Sequence, residues 1–400
     1  MAGIVVVGAG QAGAALVAKL RTLGHDGPIT LIGDEAEPPY QRPPLSKKYL
    51  LGEMARERLY LRPQSAYAEQ NITLMTGQRV TGIDPATRIV SMGETQLGYD
   101  ALVLTTGSVP RRLPAAIGGN LGGVHVMRTL EDADGMADEF RPGRRVLIVG
   151  GGYIGLEAAA VASTRGLQVT LIEAAPRILQ RVASPQTSDW FRQLHERHGV
   201  TILEGTGLSR LTGEDRVTGA TLDNGTELDV DFVIVGIGIA PATELAEAAG
   251  LTVEDGIVVD ALGRTSAPGI WASGDCTAFP FGDARIRLES VQNAIDQSES
   301  VAENLMGAGR DYRPVPWFWS DQFDVKLQIA GLNRGYDRVV ERSAADGTSF
   351  WYFSGSHLLA VDAMNAPRAF MIGKRLLEAG RSADPDQIAD PERDLKSLLA

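Results

Sequence analysis

Apolar positions along the chain fall into two alternating rhythms. Ile4-Val5-Val6-Val7 is a continuous β-branched block, the pattern of a strand buried on both faces, and it breaks into Gly8-Ala9-Gly10-Gln11-Ala12-Gly13 before the spacing turns helical from about Ala12 to Leu23. A second strand, Ile29 to Ile32, ends at Gly33-Asp34-Glu35, and Tyr99 to Ser108 reads as a buried strand running into a small-residue turn that holds Thr106 and Gly107. The opening succession then returns. Arg145 to Val149 leads into Gly150-Gly151-Gly152-Tyr153-Ile154-Gly155-Leu156-Glu157, a helix, and a strand from Val169 to Ile172 ending on Glu173. A strand Asp231 to Val235 runs into Gly236-Ile237-Gly238, an amphipathic helix covers Thr243 to Ala249, and a short strand ends at Gly274-Asp275. A helix from Val291 to Met306 carries Gln292, Asn293 and Gln297. Beyond Pro314-Val315-Pro316, Trp317 to Gln322 precedes strand-like runs at Val325 to Ile329, Tyr336 to Glu341 and Ser349 to Phe353, predicting a small antiparallel sheet with helices.

Strand, glycine turn and helix together are the phosphate-binding turn of a dinucleotide fold. Gly8 permits the tight turn, Gly10 lets the backbone approach a pyrophosphate, Gly13 lets the helix pack close to the strand, and the helix N-terminus supplies amide donors. One such stretch also occurs simply as a tight connection; two complete copies in one chain do not arise that way. An acid about 20 residues beyond the glycines binds a ribose. Asp34 is the candidate in the first copy with Glu35 in reserve, and Glu173, 18 residues past Gly155, is the candidate in the second. A carboxylate there favours NADH over NADPH, with Arg177 nearby weakening the preference slightly. Gly238 is placed for close approach of a nicotinamide and Asp275 for a polyol. The proline-framed loop from Pro38 to Leu50 presents Arg42 and Lys47 before a short helical stretch expected to be capped by Ser46. Its two cations suit a phosphate or an electron-rich ring, or are a solvated basic turn.

At 400 residues the chain is long enough for two or three domains, and 44% apolar content allows proper cores. No apolar run reaches the roughly 18 residues of a membrane span, and Met1 leads directly into the first strand, so a soluble cytoplasmic protein is expected. The net charge of −12 argues against nucleic acid or an anionic membrane as a partner. The acidity is uneven: residues 310–400 carry 12 Lys+Arg against 13 Asp+Glu, leaving 26 cations and 37 anions to the rest. The single cysteine, Cys276, excludes an intramolecular disulfide and a cysteine-held metal cluster within the chain, and is expected to be a small buried apolar residue. No metal ligands are assigned.

The sequence as a whole resembles the flavoprotein family of pyridine nucleotide-dependent reductases. The stretches Arg42-Pro43-Pro44-Leu45-Ser46-Lys47, Thr265 to Asp275, and Trp317-Phe318-Trp319-Ser320-Asp321-Gln322 are similar to the NADH-dependent ferredoxin reductases of bacterial oxygenase systems, of the putidaredoxin reductase and biphenyl dioxygenase reductase type. Disulfide reductases of the wider family carry a redox cysteine near where this chain has Pro44 to Lys47. The resemblance implies an α/β fold of glutathione reductase-like architecture: an FAD-binding Rossmann-like domain over 1–112 and 242–309, an NAD-binding one over 113–241, and a C-terminal α+β domain over 310–400. It implies that FAD is held by Gly8, Gly10, Gly13, Asp34 or Glu35, Arg42, Lys47, Thr106, Gly107, Arg128, Gly274, Asp275, Val291 and Trp319. NADH falls to Gly150, Gly152, Tyr153, Ile154, Gly155, Glu157, Glu173, Arg177 and Gly238. Lys47, Glu157 and Trp319 then sit nearest the reacting atoms, with Glu157 pairing Lys47. The implied activity moves electrons from NADH through FAD, one at a time, to a small [2Fe-2S] ferredoxin, for which Arg310, Arg313, Lys374 and Arg375 are candidate docking cations on a monomer or weak homodimer. An NADH oxidase, or a redox-responsive NADH-binding protein resembling apoptosis-inducing factor, are the alternatives.

Overall fold

The computed structural model describes residues 3–399, so Met1 lies outside the described residues. The chain separates into two units, one built from residues up to Gln41, Arg56–Val109 and Ile239–Pro314, the other from Arg42–Ala55, Pro110–Gly238 and the chain from Val315 onward.

In the first unit the β-branched blocks form a parallel layer in the order Ile72–Met75, Ile29–Ile32, Gly3–Val7, Thr95–Leu104, with Ile270–Ala272 also beside Thr95–Leu104. The ten residues of Thr95–Leu104 serve two sheets. Their first half pairs antiparallel with Ile89–Met92, whose other edge takes Gly82–Asp84, and their second half is the buried parallel strand. Val5, Val6, Leu102 and Val103 are all buried, as expected of a strand covered on both faces. The helices Gln11–Thr22 and Val291–Leu305 approach closely at Gly274, where a Cβ would lie 3.1 Å from that of Ala12. Cys276 is fully buried with its Sγ against the carbonyls of Ser273 and Leu104, and burial pushes its thiol up, so it is the inert apolar residue expected.

The second unit repeats the layer. Thr201–Glu204, Gln168–Glu173, Arg145–Val149, Phe232–Val235 and Val124–Val126 are parallel, and Leu208–Gly213, Val217–Leu222 and Glu227–Asp229 form an antiparallel sheet. Its C-terminal part is a five-stranded antiparallel sheet in the order Trp317–Gln322, Val325–Gly331, His357–Met364, Gly347–Ser354, Arg338–Ala344. The helix Pro367–Glu378 lays Phe370, Ile372 and Leu376 onto Trp351, Phe353 and Val361 of that sheet. The aromatic run Trp317–Gln322 is thus an edge strand, and the central strand His357–Met364 has no counterpart among the expected runs. Ser46 is not a cap. Leu45–Tyr49 is a π-helical turn with Pro44 at its N-cap, interrupted at Lys47 (φ −138°, ψ −115°), and the Ser46 hydroxyl is engaged with a distant carboxylate instead. Among the described residues no helix is long and apolar enough to cross a membrane.

One carboxyl inside the C-terminal sheet is charged only at a cost. Asp362 is 1% exposed, and its Oδ2 accepts from the hydroxyls of Thr187, at 2.8 Å, and Tyr352. Burial pushes its pKa up from 3.8 to about 6 despite both bonds. A group raised in the folded state contributes stability that is complete below its unfolded value and is lost as pH rises through the folded one. Asp362→Asn removes that dependence. The stability of the variant relative to the parent should therefore rise by on the order of 3 kcal/mol as pH climbs from the ordinary carboxyl value past about 6, measured by urea unfolding across pH; a difference that does not change with pH contradicts the assignment.

Candidate functional site

The two glycine turns are built alike. Gly8 has φ +117°, and a Cβ there would lie 2.1 Å from the Thr105 carbonyl oxygen; Gly150 has φ +108° and would meet the Gly236 carbonyl oxygen at 2.4 Å. The third glycine of each motif is equally constrained, because a Cβ at Gly13 would lie 2.1 Å from Gly8 O and one at Gly155 would lie 2.0 Å from Gly150 O. The middle glycines differ from both: around Gly10 and Gly152 nothing comes within 4 Å of an added Cβ. Packing therefore explains the outer glycines and leaves the inner ones bare. Each inner glycine is also the N-cap of its helix, Gln11–Thr22 or Tyr153–Thr164, and neither helix receives a side-chain cap. Free amides, a helix dipole and room for close backbone approach are what a pyrophosphate requires, so both turns fit a dinucleotide.

Around the first turn, Asp34 is exposed and Glu35 half-buried, with the Tyr40 hydroxyl donating to Glu35 Oε2 at 2.5 Å. Ser108 donates to Asp275 Oδ2 at 3.0 Å, Thr106 donates to the Ala242 carbonyl at 2.6 Å, and Gly107 takes a positive φ of 71°. The amide of Gly274 donates to Gln297 Oε1 at 2.8 Å. Val291 opens its helix behind Ser290, whose hydroxyl accepts from the Asn293 amide at 3.1 Å. Gln297 and Asn293 hold this corner together, while the Oε1 of Gln292 is buried and has no hydrogen-bond partner among the described residues. Around the second turn, Glu173 accepts from the amides of Gly151, at 2.7 Å, and Ala175, at 2.8 Å, so each of its oxygens is oriented by backbone. Arg177 is turned away into its own segment, donating to Ser188 Oγ and to the carbonyls of Ser184 and Gln180. Gly238 keeps a positive φ of 96°, with Arg181 Nη1 3.7 Å from where a Cβ would stand.

The second unit also holds a buried ion pair. Lys47 Nζ, on a side chain 16% exposed, lies 2.9 Å from Oε1 of Glu157, which is 4% exposed. Ser46 donates to Glu157 Oε2 at 2.8 Å and Ser320 donates to Oε1 at 2.7 Å. The match of helix and strand explains the last contact. Four residues along a helix advance about 6 Å and two along a strand about 6.6 Å. Tyr153 and Glu157 therefore meet Phe318 and Ser320 in step, the Tyr153 and Phe318 rings being 4.8 Å apart. Trp319, on the opposite face of its strand, is half-buried with its ring 5.7 Å from that of Trp317. Arg42 donates to the Arg128 carbonyl at 2.8 Å, which places those two residues together.

Ser46 and Ser320, with Gln322 and His195 hydrogen-bonded in series behind Ser320, are the members of this cluster absent from the expected site. The alternation of Phe318, Ser320 and Gln322 along one strand face against the i, i+4 spacing of Tyr153 and Glu157 is the signal that links Ser320 and Gln322 to it. Two of the four candidate docking cations are already paired, Arg313 with Asp311 at 2.8 Å and Lys374 with Glu378 one helical turn on. Among the described residues no cluster of three or more His, Cys, Asp or Glu is placed to hold a metal ion.

Residues 2–298 match the pyridine nucleotide-disulphide oxidoreductase family and residues 317–399 the reductase C-terminal family. The chain is similar to rhodocoxin reductase of Rhodococcus erythropolis, 43% identical over 99% of this chain and 94% of the relative. It is 41% identical to putidaredoxin reductase of Pseudomonas putida over 99% of this chain and 96% of that one. Among solved structures it is similar to the reductase in the covalent putidaredoxin reductase–putidaredoxin complex, with a TM-score of 0.96 and 40% identity, covering 100% of this chain and 98% of the other.

Because the chain itself leaves space at the inner glycines, a side chain there should harm only the ligand. Gly10→Val should shift the melting temperature of ligand-free protein by less than about 3 °C while weakening the dinucleotide held at the first turn by about 100-fold, and Gly152→Val should do the same at the second turn alone. Undiminished binding by both variants, followed by calorimetry, contradicts the cradle assignment.

Proposed function

The chain belongs to the pyridine nucleotide-disulphide oxidoreductase family, and on that premise we propose that it is an FAD-dependent NADH:ferredoxin oxidoreductase, passing electrons from NADH through FAD, one at a time, to a small [2Fe-2S] ferredoxin that feeds an oxygenase. Its architecture is glutathione reductase-like, with two Rossmann-like regions and a C-terminal α+β region. The observation that carries the proposal is the pair of bare inner glycines, Gly10 and Gly152, each at the uncapped N-terminus of its helix. A chain with one buried cysteine has no intramolecular disulfide to relay electrons, and the two dinucleotide turns with the family match support a flavin as the intermediate carrier. A further relative, from a Sphingomonas species, is a ferredoxin–NAD(P)+ reductase, which supports a ferredoxin as acceptor.

Bound FAD supplies the conversion of the electron pair of NADH into single electrons. Gly8, Gly10 and Gly13 hold its pyrophosphate, Asp34 or Glu35 its adenosine ribose, and Asp275, with Thr106, Gly107, Gly274 and Val291 around it, its polyol chain. The assignments of Arg42, Arg128 and Trp319 to the flavin belong to the same proposal. Gly150, Gly152, Gly155 and Gly238 take the NADH backbone, with Tyr153 and Ile154 beside it. Glu173 accepts from its ribose, and the withdrawal of Arg177 supports a preference for NADH over NADPH. Lys47 offers a fixed cation to the negative charge that reduction creates, and Glu157 holds that cation in place. No side chain acts as nucleophile. The three-domain division at 1–112 with 242–309, 113–241 and 310–400, a cytoplasmic location, and a monomer or weak homodimer complete the proposal.

The test is anaerobic stopped-flow reduction by NADH and by NADPH, followed by mixing with a [2Fe-2S] ferredoxin. Rapid bleaching of the flavin by NADH and transfer to ferredoxin faster than to oxygen are expected; faster transfer to oxygen would mark an NADH oxidase. Lys47→Met should slow bleaching about tenfold to a hundredfold at saturating NADH. Glu173→Gln should narrow the preference for NADH about tenfold. A purified protein that takes up no FAD would refute the whole proposal.

A further inference from the structure

Behind the Glu157 carboxylate the hydrogen bonds continue inward. Gln322 is wholly buried, with Nε2 donating to Ser320 Oγ at 3.1 Å and Oε1 lying 2.8 Å from His195 Nε2. An amide oxygen only accepts, so His195, also wholly buried, carries its proton on Nε2. Its Nδ1 is then a bare acceptor, and no partner meets that atom among the described residues. Burial also pushes the imidazole pKa down to about 4, which keeps the ring neutral. With its amide N–H directed at Ser320, Gln322 fills a lone pair of that hydroxyl, and the Ser320 proton goes to Glu157. Reversing the amide would turn its oxygen toward Ser320, draw the serine proton away from Glu157, and leave an N–H buried and unpaired on Nδ1. Only one direction leaves no histidine N–H buried without a partner.

The far end of this chain is held firmly. His195 lies on the helix Pro185–Arg197 with its ring edge-on to Phe323 at 5.0 Å, and the ring of His198 stacks on Phe323 at 3.8 Å. Phe323 itself, at φ +56°, forms the two-residue turn that directly follows Gln322. We propose that Gln322 and His195 are positioning residues for Glu157: through Ser320 they direct a hydroxyl hydrogen bond at its carboxylate and so keep Glu157 aligned on Lys47. This assigns to the helix Pro185–Arg197 a part in the hydride-accepting site, and it rests on the oxidoreductase activity proposed above.

Two measurements test it on the FAD-loaded protein. NMR of ring-nitrogen-labelled histidine should show His195 neutral with its proton on Nε2 from mildly acid to mildly alkaline pH; a proton on Nδ1, or a cation at neutral pH, overturns the proposal without any substitution. The second measurement is a cycle of Gln322→Met, Ser320→Ala and the double variant. Gln322→Met should lower the limiting rate of flavin bleaching by NADH about tenfold while changing the NADH dissociation constant less than about threefold. The double variant should be no slower than Ser320→Ala, because Gln322 acts through Ser320; multiplicative slowing, or loss confined to NADH binding, overturns it. Parent protein whose flavin NADH does not bleach refutes the activity instead, and the histidine measurement then decides the hydrogen-bond chain by itself.

Discussion

Burying the Glu157 carboxylate requires that its charge be balanced and its lone pairs filled from within the protein, because the desolvation of an unpaired ion costs more than any local contact returns. Meeting that demand ties together stretches far apart in sequence. The proline-framed turn must bring both Ser46 and Lys47, and the aromatic edge strand must bring Ser320. The helix that carries Glu157 begins at the bare Gly152, so the same element presents an uncapped N-terminus at one end and orients the ion pair a turn later.

The duplication of the dinucleotide turn follows a single steric rule. The first and third glycines of each motif are demanded by carbonyl oxygens about 2 Å from a would-be Cβ, whatever the ligand. Function enters only at the middle position and in what surrounds the turn. In the first unit the neighbouring acids are Glu35, tied to Tyr40, and Asp275, tied to Ser108. In the second, Glu173 is gripped by two backbone amides and its nearby arginine is turned aside. The two copies share a backbone and differ in side-chain chemistry.

How much was legible in the sequence depends on the range of the interaction involved. Both glycine turns, the acids beyond them and the parallel strands are written in contiguous stretches, where β-branched runs and glycine sterics act over a few residues. Ser46 shows the limit: a serine opening a short helical stretch has the spacing of a cap, yet its hydroxyl reaches Glu157, 111 residues away. Gln322 and His195 stand 127 residues apart, and no periodicity relates them. The strand His357–Met364 is likewise hard to read alone, because Asp362 interrupts its apolar pattern and is accommodated only by Tyr352 and Thr187. Arg177 invites a role in nucleotide selection until its hydrogen bonds to Ser184 and Ser188 are seen.

The first unit is assembled from three separated pieces of chain, while the parallel sheet of the second lies within a single stretch from Val124 to Val235. During synthesis the ribosome releases the N-terminal strand first, but Ile270–Ala272, which flanks Thr95–Leu104, emerges only after that whole second sheet. The earlier-made half must therefore wait, with one flank of its sheet uncovered, for the later-made half to be translated. Order of birth and order of completion are reversed, and exposed apolar edges in that interval are the ones a nascent-chain chaperone has reason to shield.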